Sequence, residues 1–366
     1  MRLIEAVVLL LAVVTIADST QSELYLEEAI NLIQCDCPEA AMEKLDLAIE
    51  LDPEFSDVFA YRGSLFAKMG EMEMAFSDFN HALELSPSDP DILYLRALVY
   101  ASTGRYSDAV TELTTVIQLA PNSSSAFSAR GSANEYLGNH EEAISDLTRA
   151  ISLNPEVAKY YHNLGMAYFE INLADCIINF TLAIERDPEY FESYYNRGVA
   201  RFKMQDYLHA IEDFNIAVSL RAEMANTYYY RGMAYGFLND FNTALEDIST
   251  AIELDPDEHS YYFDRGYAYE LTHQIELALN DYDTAISLNP EFAPAYFYKG
   301  MVHRDMEHWE MAATAFRKAA EAAPEDARYH YVCGEAESEL GNLQQAEIDF
   351  QRAYELRPDF RPSTSR

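Results

Sequence analysis

The sequence predicts an all-α array of ten helix-turn-helix units, and three observations carry that reading. A proline-bearing motif recurs: LDPEF, LSPSD, LAPNS, LNPEV, RDPEY, LDPDE, LNPEF, AAPED and LRPDF, with prolines at Pro53, Pro87, Pro121, Pro155, Pro188, Pro256, Pro290, Pro324 and Pro358. The step is 34 residues, except for one of 33 and one double step in which Ala222 stands where proline is expected. A fixed period of this size marks a repeat architecture. With that proline numbered position 32, small residues recur at position 8 (Gly63, Gly131, Gly165, Gly198, Gly232, Gly266, Gly300, Gly334) and at position 20 (Ala75, Ala109, Ala143, Ala210, Ala244, Ala278). They let two helices approach closely, and the proline stops the second one. Twelve of the 13 glycines sit at position 8 or at the interhelix turn, position 15 (Gly70, Gly104, Gly138, Gly341), and Gly236 is the exception.

The units in order are 22–55, 56–89, 90–123, 124–157, 158–190, 191–224, 225–258, 259–292, 293–326 and 327–360. The fifth is one residue short, with the deletion placed in its interhelix turn so that Cys176 takes position 20. Position 24 is often aromatic, as at Phe79, Phe180, Phe214, Tyr282, Phe316 and Phe350. This pattern resembles the tetratricopeptide repeat over residues 22–360. The resemblance implies antiparallel helix pairs stacked into a right-handed superhelical solenoid, whose concave groove is lined by the first helix of each pair. No unit buries its apolar faces alone, so the stack is a cooperative array.

Position 7, apolar in the family, is arginine in six units: Arg62, Arg96, Arg130, Arg197, Arg231 and Arg265. Position 23 of the same units is acidic: Asp78, Glu112, Asp146, Asp213, Asp247 and Asp281. The first unit exchanges the charges, with Glu28 and Lys44. That swap points to a bridge within each unit, since pairing with the next unit would set Lys44 against Arg62. The fifth unit carries Leu164 and Asn179; the ninth sets Lys299 against Ala315, and the tenth sets Cys333 against Asp349.

The resemblance implies that positions 2, 5, 9, 12 and 13 face the groove. In units two and four these positions are small and polar: Ala60, Ser64 and Ala67, then Ser125, Ser128 and Ser132. Units five to ten carry rings and methionines instead: His162, Met166, Phe169, Tyr195, Phe202, Tyr229, Met233, Phe237, Phe263, Tyr267, Phe297, Met301 and Tyr331. Two readings stand. The rings form a strip for a peptide with apolar anchors, or they pack between neighbouring units and leave no free groove. Asn163 and Asn196, at position 6, echo asparagines that grip a bound peptide's backbone in some family members. The family's carboxylate clamp needs Lys at position 5 and Asn at position 9, and no unit has either.

With Asp+Glu 62 against Lys+Arg 25, the formal charge is -37, which repels phosphate backbones and argues against nucleic acid as a partner. Basic protein partners suit it. Four cysteines (Cys35, Cys37, Cys176, Cys333) make no disulfide framework. No phosphate loop, metalloprotease motif or catalytic constellation is present, so no cofactor and no enzyme activity are expected. Asn122-Ser-Ser and Asn179-Phe-Thr match the glycosylation sequon. The start, MRLIEAVVLLLAVVTIA, resembles a secretory signal within an apolar segment over 1–21. Export is then expected, with a membrane met only through that segment if it stays attached. Read otherwise, the segment is an apolar helix packed on the first unit of a cytoplasmic protein. Only the short polar tail RPSTSR, 361–366, follows the tenth unit, leaving a face near Leu340, Phe350 and Tyr354 for self-association. The expected function is a non-catalytic scaffold binding a peptide mainly at units five to ten. The alternatives are a self-assembling structural solenoid and a regulatory subunit of an enzyme on another chain.

Overall fold

The structure, a computed structural model, describes residues 20–360. The signal-like segment and the polar tail lie outside the described residues. Helices alternate throughout, with no strand among the described residues. They fall into two units of the chain, divided after Pro188: repeats one to five, and repeats six to ten. Each unit is a stack of antiparallel helix pairs, in which the first helix of each of repeats two to ten packs on the second helix of its own repeat.

The repeat chemistry explains the pairs. The second helix ends at position 30, as in Met72–Leu85 and Phe241–Leu254, and the next residue caps it by donating its N–H to the position-27 carbonyl. The turn keeps its form even where Ala222 replaces the proline. At position 8 the helices touch. A Cβ on Gly300 would come 2.5 Å from the Phe316 ring, and one on Gly165 2.7 Å from Phe180, so any side chain would push the pair apart.

Position 15 ends the first helix in the left-handed region. Glycine holds it at φ 76 to 86° in four repeats. Asp36, Gln205, Asn239, His273 and Glu307 hold it at φ 56 to 63°. There an L side chain costs about 1–2 kcal/mol. Repeat five lacks this residue. Its first helix, Ala158–Tyr168, has 11 residues where those of repeats two to four and six to ten have 13, and Asn172 caps the second helix by accepting from the N–H groups of Ala174 and Asp175. The deletion therefore removed the one strained position of the turn.

Cys35 and Cys37 are free, exposed thiols. Asn179 is buried and donates its amide to the Asp175 carbonyl, so its sequon has no room for a glycan. In the tenth repeat Phe360 covers Tyr331, with ring centroids 5.5 Å apart, while Leu343 and Ile348 of its second helix stay exposed. No helix among the described residues is long and apolar enough to cross a membrane.

Candidate functional site

Four of the position-7 arginines, Arg62, Arg130, Arg231 and Arg265, form three-armed clamps. Arg231 lays its Nε and Nη2 on the two carboxylate oxygens of Asp247 at 2.8 and 2.7 Å. Arg62 on Asp78, Arg130 on Asp146 and Arg265 on Asp281 repeat this fork at 2.7–3.0 Å. Arg197 holds Asp213, which also takes Arg201 at 2.8 Å. Lys44 meets Glu28 at 2.6 Å.

The sequence reading missed the third arm. Nη1 reaches back to position 25 of the preceding repeat: Arg62 to Asp46, Arg96 to Asn80, Arg130 to Thr114, Arg231 to Asn215 and Arg265 to Ser249, at 2.8–3.1 Å. One guanidinium thus ties the two helices of its own repeat to the repeat before. The polar residue at position 25 was the available signal. The exceptions follow the same plan. Lys299, facing Ala315, pairs with Asp283 at position 25. In the tenth repeat Cys333 leaves Asp349 without its own cation, and Arg317 from position 25 of the ninth lies 3.9 Å away. Glu112 is one methylene longer than aspartate and loses the fork. It meets Arg96 end-on, and Arg96 Nε and Glu112 Oε2 are left buried without partners. Burial raises the Glu112 carboxyl above its ordinary pKa against the pull of Arg96.

The first-helix faces differ sharply between regions. In repeats three to five the groove positions of repeat four are Ser125, Ser128 and Ser132, too short to fill the space they face. A cavity of about 560 Å³ lies open there, bounded by Tyr94, Tyr106, Tyr136 and Tyr160. Tyr106 and Tyr136 stack in parallel with centroids 4.6 Å apart, and Tyr136 is 67% exposed. Asn163 donates to Ser132 Oγ at 2.8 Å, so its amide is spent in part on this lining. Tyr160 shares a hydrogen bond with Ser124. Lys159 is the one charged side chain on the wall.

Repeats six to ten fill the same space with rings. A position-5 ring meets position 6 of the following repeat: Tyr195 on Tyr230 with centroids 6.2 Å apart, Phe263 on Tyr298 at 5.4 Å. Phe202 packs against Tyr230 and Phe237, Phe297 against Tyr329, and Tyr331 against Phe350. Met233 packs on the core beside Tyr261, and Met301 on that beside Phe316. In repeat five His162 is buried with its ring 5.3 Å from Phe180 of its own repeat, so it is a core ring rather than a groove ring. Met166, Phe169 and Asn196 are half-buried. Of the groove rings expected from the sequence, Phe237 and Tyr267 remain exposed, at 55% and 38%.

Family models of the tetratricopeptide repeat match residues 62–124, 136–172, 191–224, 225–258, 259–292 and 299–359, together most of the chain. The chain belongs to the tetratricopeptide repeat family. A tetratricopeptide repeat protein from Parabacteroides merdae is a similar solved structure, at 19% identity over 71% of this chain and 99% of that one, with a TM-score of 0.51. The APC/C hetero-tetramer Cut9–Hcn1 matches at 14% identity, 92% and 74% coverage and a TM-score of 0.49. YrrB, a tetratricopeptide repeat protein described as having an unusual peptide-binding site, matches at 23% identity, 52% and 97% coverage and 0.45. No curated protein matches the chain. The tetratricopeptide repeats here bring together no group of three or more metal-ligating side chains among the described residues.

Proposed function

We propose that this tetratricopeptide repeat protein is a non-catalytic scaffold that seats an extended segment of a partner protein in the trough of repeats three to five. The observation that carries this is the open 560 Å³ cavity beside Ser125, Ser128 and Ser132. Its volume falls within the roughly 300–1,000 Å³ of ligand sites. Its chemistry suits a peptide main chain: serine and tyrosine hydroxyls both donate and accept, and tyrosine adds contact area at low entropic cost. This reading moves the site from repeats five to ten, the stretch expected from the sequence, to repeats three to five, since most rings of repeats six to ten are committed to one another.

The test is selection of peptides from a random display library on the full chain, counter-selected on Ala101→Leu with Ala129→Leu. Both alanines line the trough and are half-buried, so leucine fills the space at little cost in packing. Peptides that bind the parent and not the filled protein support the proposal. Peptides that bind both equally overturn it.

A further inference from the structure

In the ring ladder of repeats six to ten, the rung between repeats seven and eight carries a charge. Where the position-5 ring of repeat seven, Tyr229, should meet a position-6 ring, it meets a carboxylate. The Tyr229 hydroxyl donates to Asp264 Oδ2 at 2.5 Å. Beside this rung lies a notch of about 80 Å³, walled by Met233, Phe237, Ile248 and Leu271, with Asp264 and Tyr267 also on its lining. The exposed rings of Phe237 and Tyr267 stand among its walls.

Gly236, the one glycine outside the two packing positions, also lines the notch. A Cβ there would meet nothing nearer than Ala244 Cβ at 3.9 Å, so neither close helix packing nor backbone strain requires glycine. Its missing side chain leaves the notch open.

Asp264 is half-buried, and no basic side chain among the described residues lies within ion-pair distance of it. The clamp carboxylates Asp247 and Asp281 have their own arginines, but Asp264 has only a phenol. A carboxylate withdrawn from water without a cation is costly to hold, and a cation from outside would relieve it. Oδ2 is engaged by Tyr229, so a guanidinium fork would find only one free oxygen, whereas an ammonium needs only one. The apolar walls match a straight aliphatic stem, and exposed rings on the lining favour a cation near their faces. The chain's net charge of -37 attracts basic segments.

We infer that this notch takes the side chain of a lysine from a partner polypeptide, the stem against Met233 and Phe237 and the ammonium on Asp264 Oδ1. This site belongs to repeats seven and eight and stands or falls independently of the trough on repeats three to five.

The experiment uses the full chain with 13C-labelled methionine methyls at pH 7.5. It follows the Met233 methyl resonance, assigned with Met233→Leu, during titration with n-butylammonium, 1-butanol at equal concentration, and the peptide acetyl-Gly-Ser-Lys-Ser-Gly-amide. Sodium chloride matches the ionic strength. The expected result is a saturable shift with butylammonium and with the peptide. The response should be at least tenfold weaker with butanol and with Asp264→Asn, and lost with Gly236→Val. Both variants should keep the parent's circular dichroism, since asparagine still accepts from Tyr229 and valine at 236 meets open space. Equal responses to butanol and butylammonium, or an unchanged response in Asp264→Asn, would overturn the charge recognition. A shift with butylammonium but none with the peptide would overturn the assignment to a polypeptide lysine.

Discussion

Repeats three to five and repeats six to ten are built on one frame and differ in what occupies the first-helix face. Both have the position-8 contact and the arginine clamp, as Arg130 on Asp146 and Arg265 on Asp281 show. In the first region Ser128 and Ser132 leave about 560 Å³ unfilled. In the second, Tyr195, Phe263 and Phe297 reach the next repeat and close the same space with ring contacts. An aromatic-rich face is thus the more closed one, and a serine-rich face the more open. Ring size decides this: a side chain long enough to be a sticky anchor is also long enough to find its neighbour first.

The clamp is shared, so breaking it should cost about the same in both regions. Arg231→Asp sets two carboxylates together in a place where Asp247 is 8% exposed, and should destabilise repeats six to ten by about 3–5 kcal/mol. Adding Asp247→Arg should recover part of that loss in chemical denaturation. A double variant no more stable than the single one would dissolve the pairing.

The ladder and the trough should separate next. Phe263→Ala removes a ring packed against Tyr282, Phe292 and Tyr298 and should cost about 3–4 kcal/mol. Ser125→Ala, at a trough wall, should cost under about 1 kcal/mol. Equal costs would mean that the two faces are filled alike.

Asp264→Asn tests the charged rung through pH. Burial pushes the Asp264 carboxyl up to about 6 against the Tyr229 bond, and the phenols of Tyr229, Tyr267 and Tyr298 are the titratable groups around it. A raised folded pKa favours the folded state only while the acid is protonated. That stabilisation is full below pH ~4 and is lost as pH rises through about 6. The shift corresponds to about 2–3 kcal/mol. Asp264→Asn should therefore be more stable than the parent by about that amount at pH 7.5, with the gap closing by pH ~4. A gap independent of pH would show that Asp264 is not a strained carboxylate.

Much of this was legible in the sequence. The 34-residue period fixed the helix pairs, because proline at 32 and glycine at 15 act locally. The pairing of Arg231 with Asp247 could be read from the exchanged charges of Glu28 and Lys44. The third arm, to Asn215 and its equivalents, was written there as well, but it joins different repeats and no swap reveals it. The state of the groove was not legible. Whether Tyr195 is free depends on whether Tyr230 reaches it, and that is a matter of register between stacked helices. Asp264 shows the same limit: a lone acid in a chain of 62 acidic residues draws no notice until its neighbours are placed.

Two smaller effects sharpen the frame itself. Glu112→Asp should restore the fork to Arg96 and satisfy two orphaned atoms, raising stability by about 1–2 kcal/mol in urea denaturation. Gln205→Gly relieves a left-handed residue at φ 63° and should add about 0.5–1 kcal/mol, while the same change at Glu212, a helical and exposed position, should lose about that much.

The central claim, that the serine-lined trough is the open binding face, is tested most directly by the affinity of one selected peptide for two folded proteins. Calorimetry would compare the parent with Ala101→Leu plus Ala129→Leu, at matched melting temperature. The account expects the filled trough to weaken binding at least tenfold, about 1.4 kcal/mol. An unchanged dissociation constant would contradict it and return the search to the ring-bearing face of repeats six to ten.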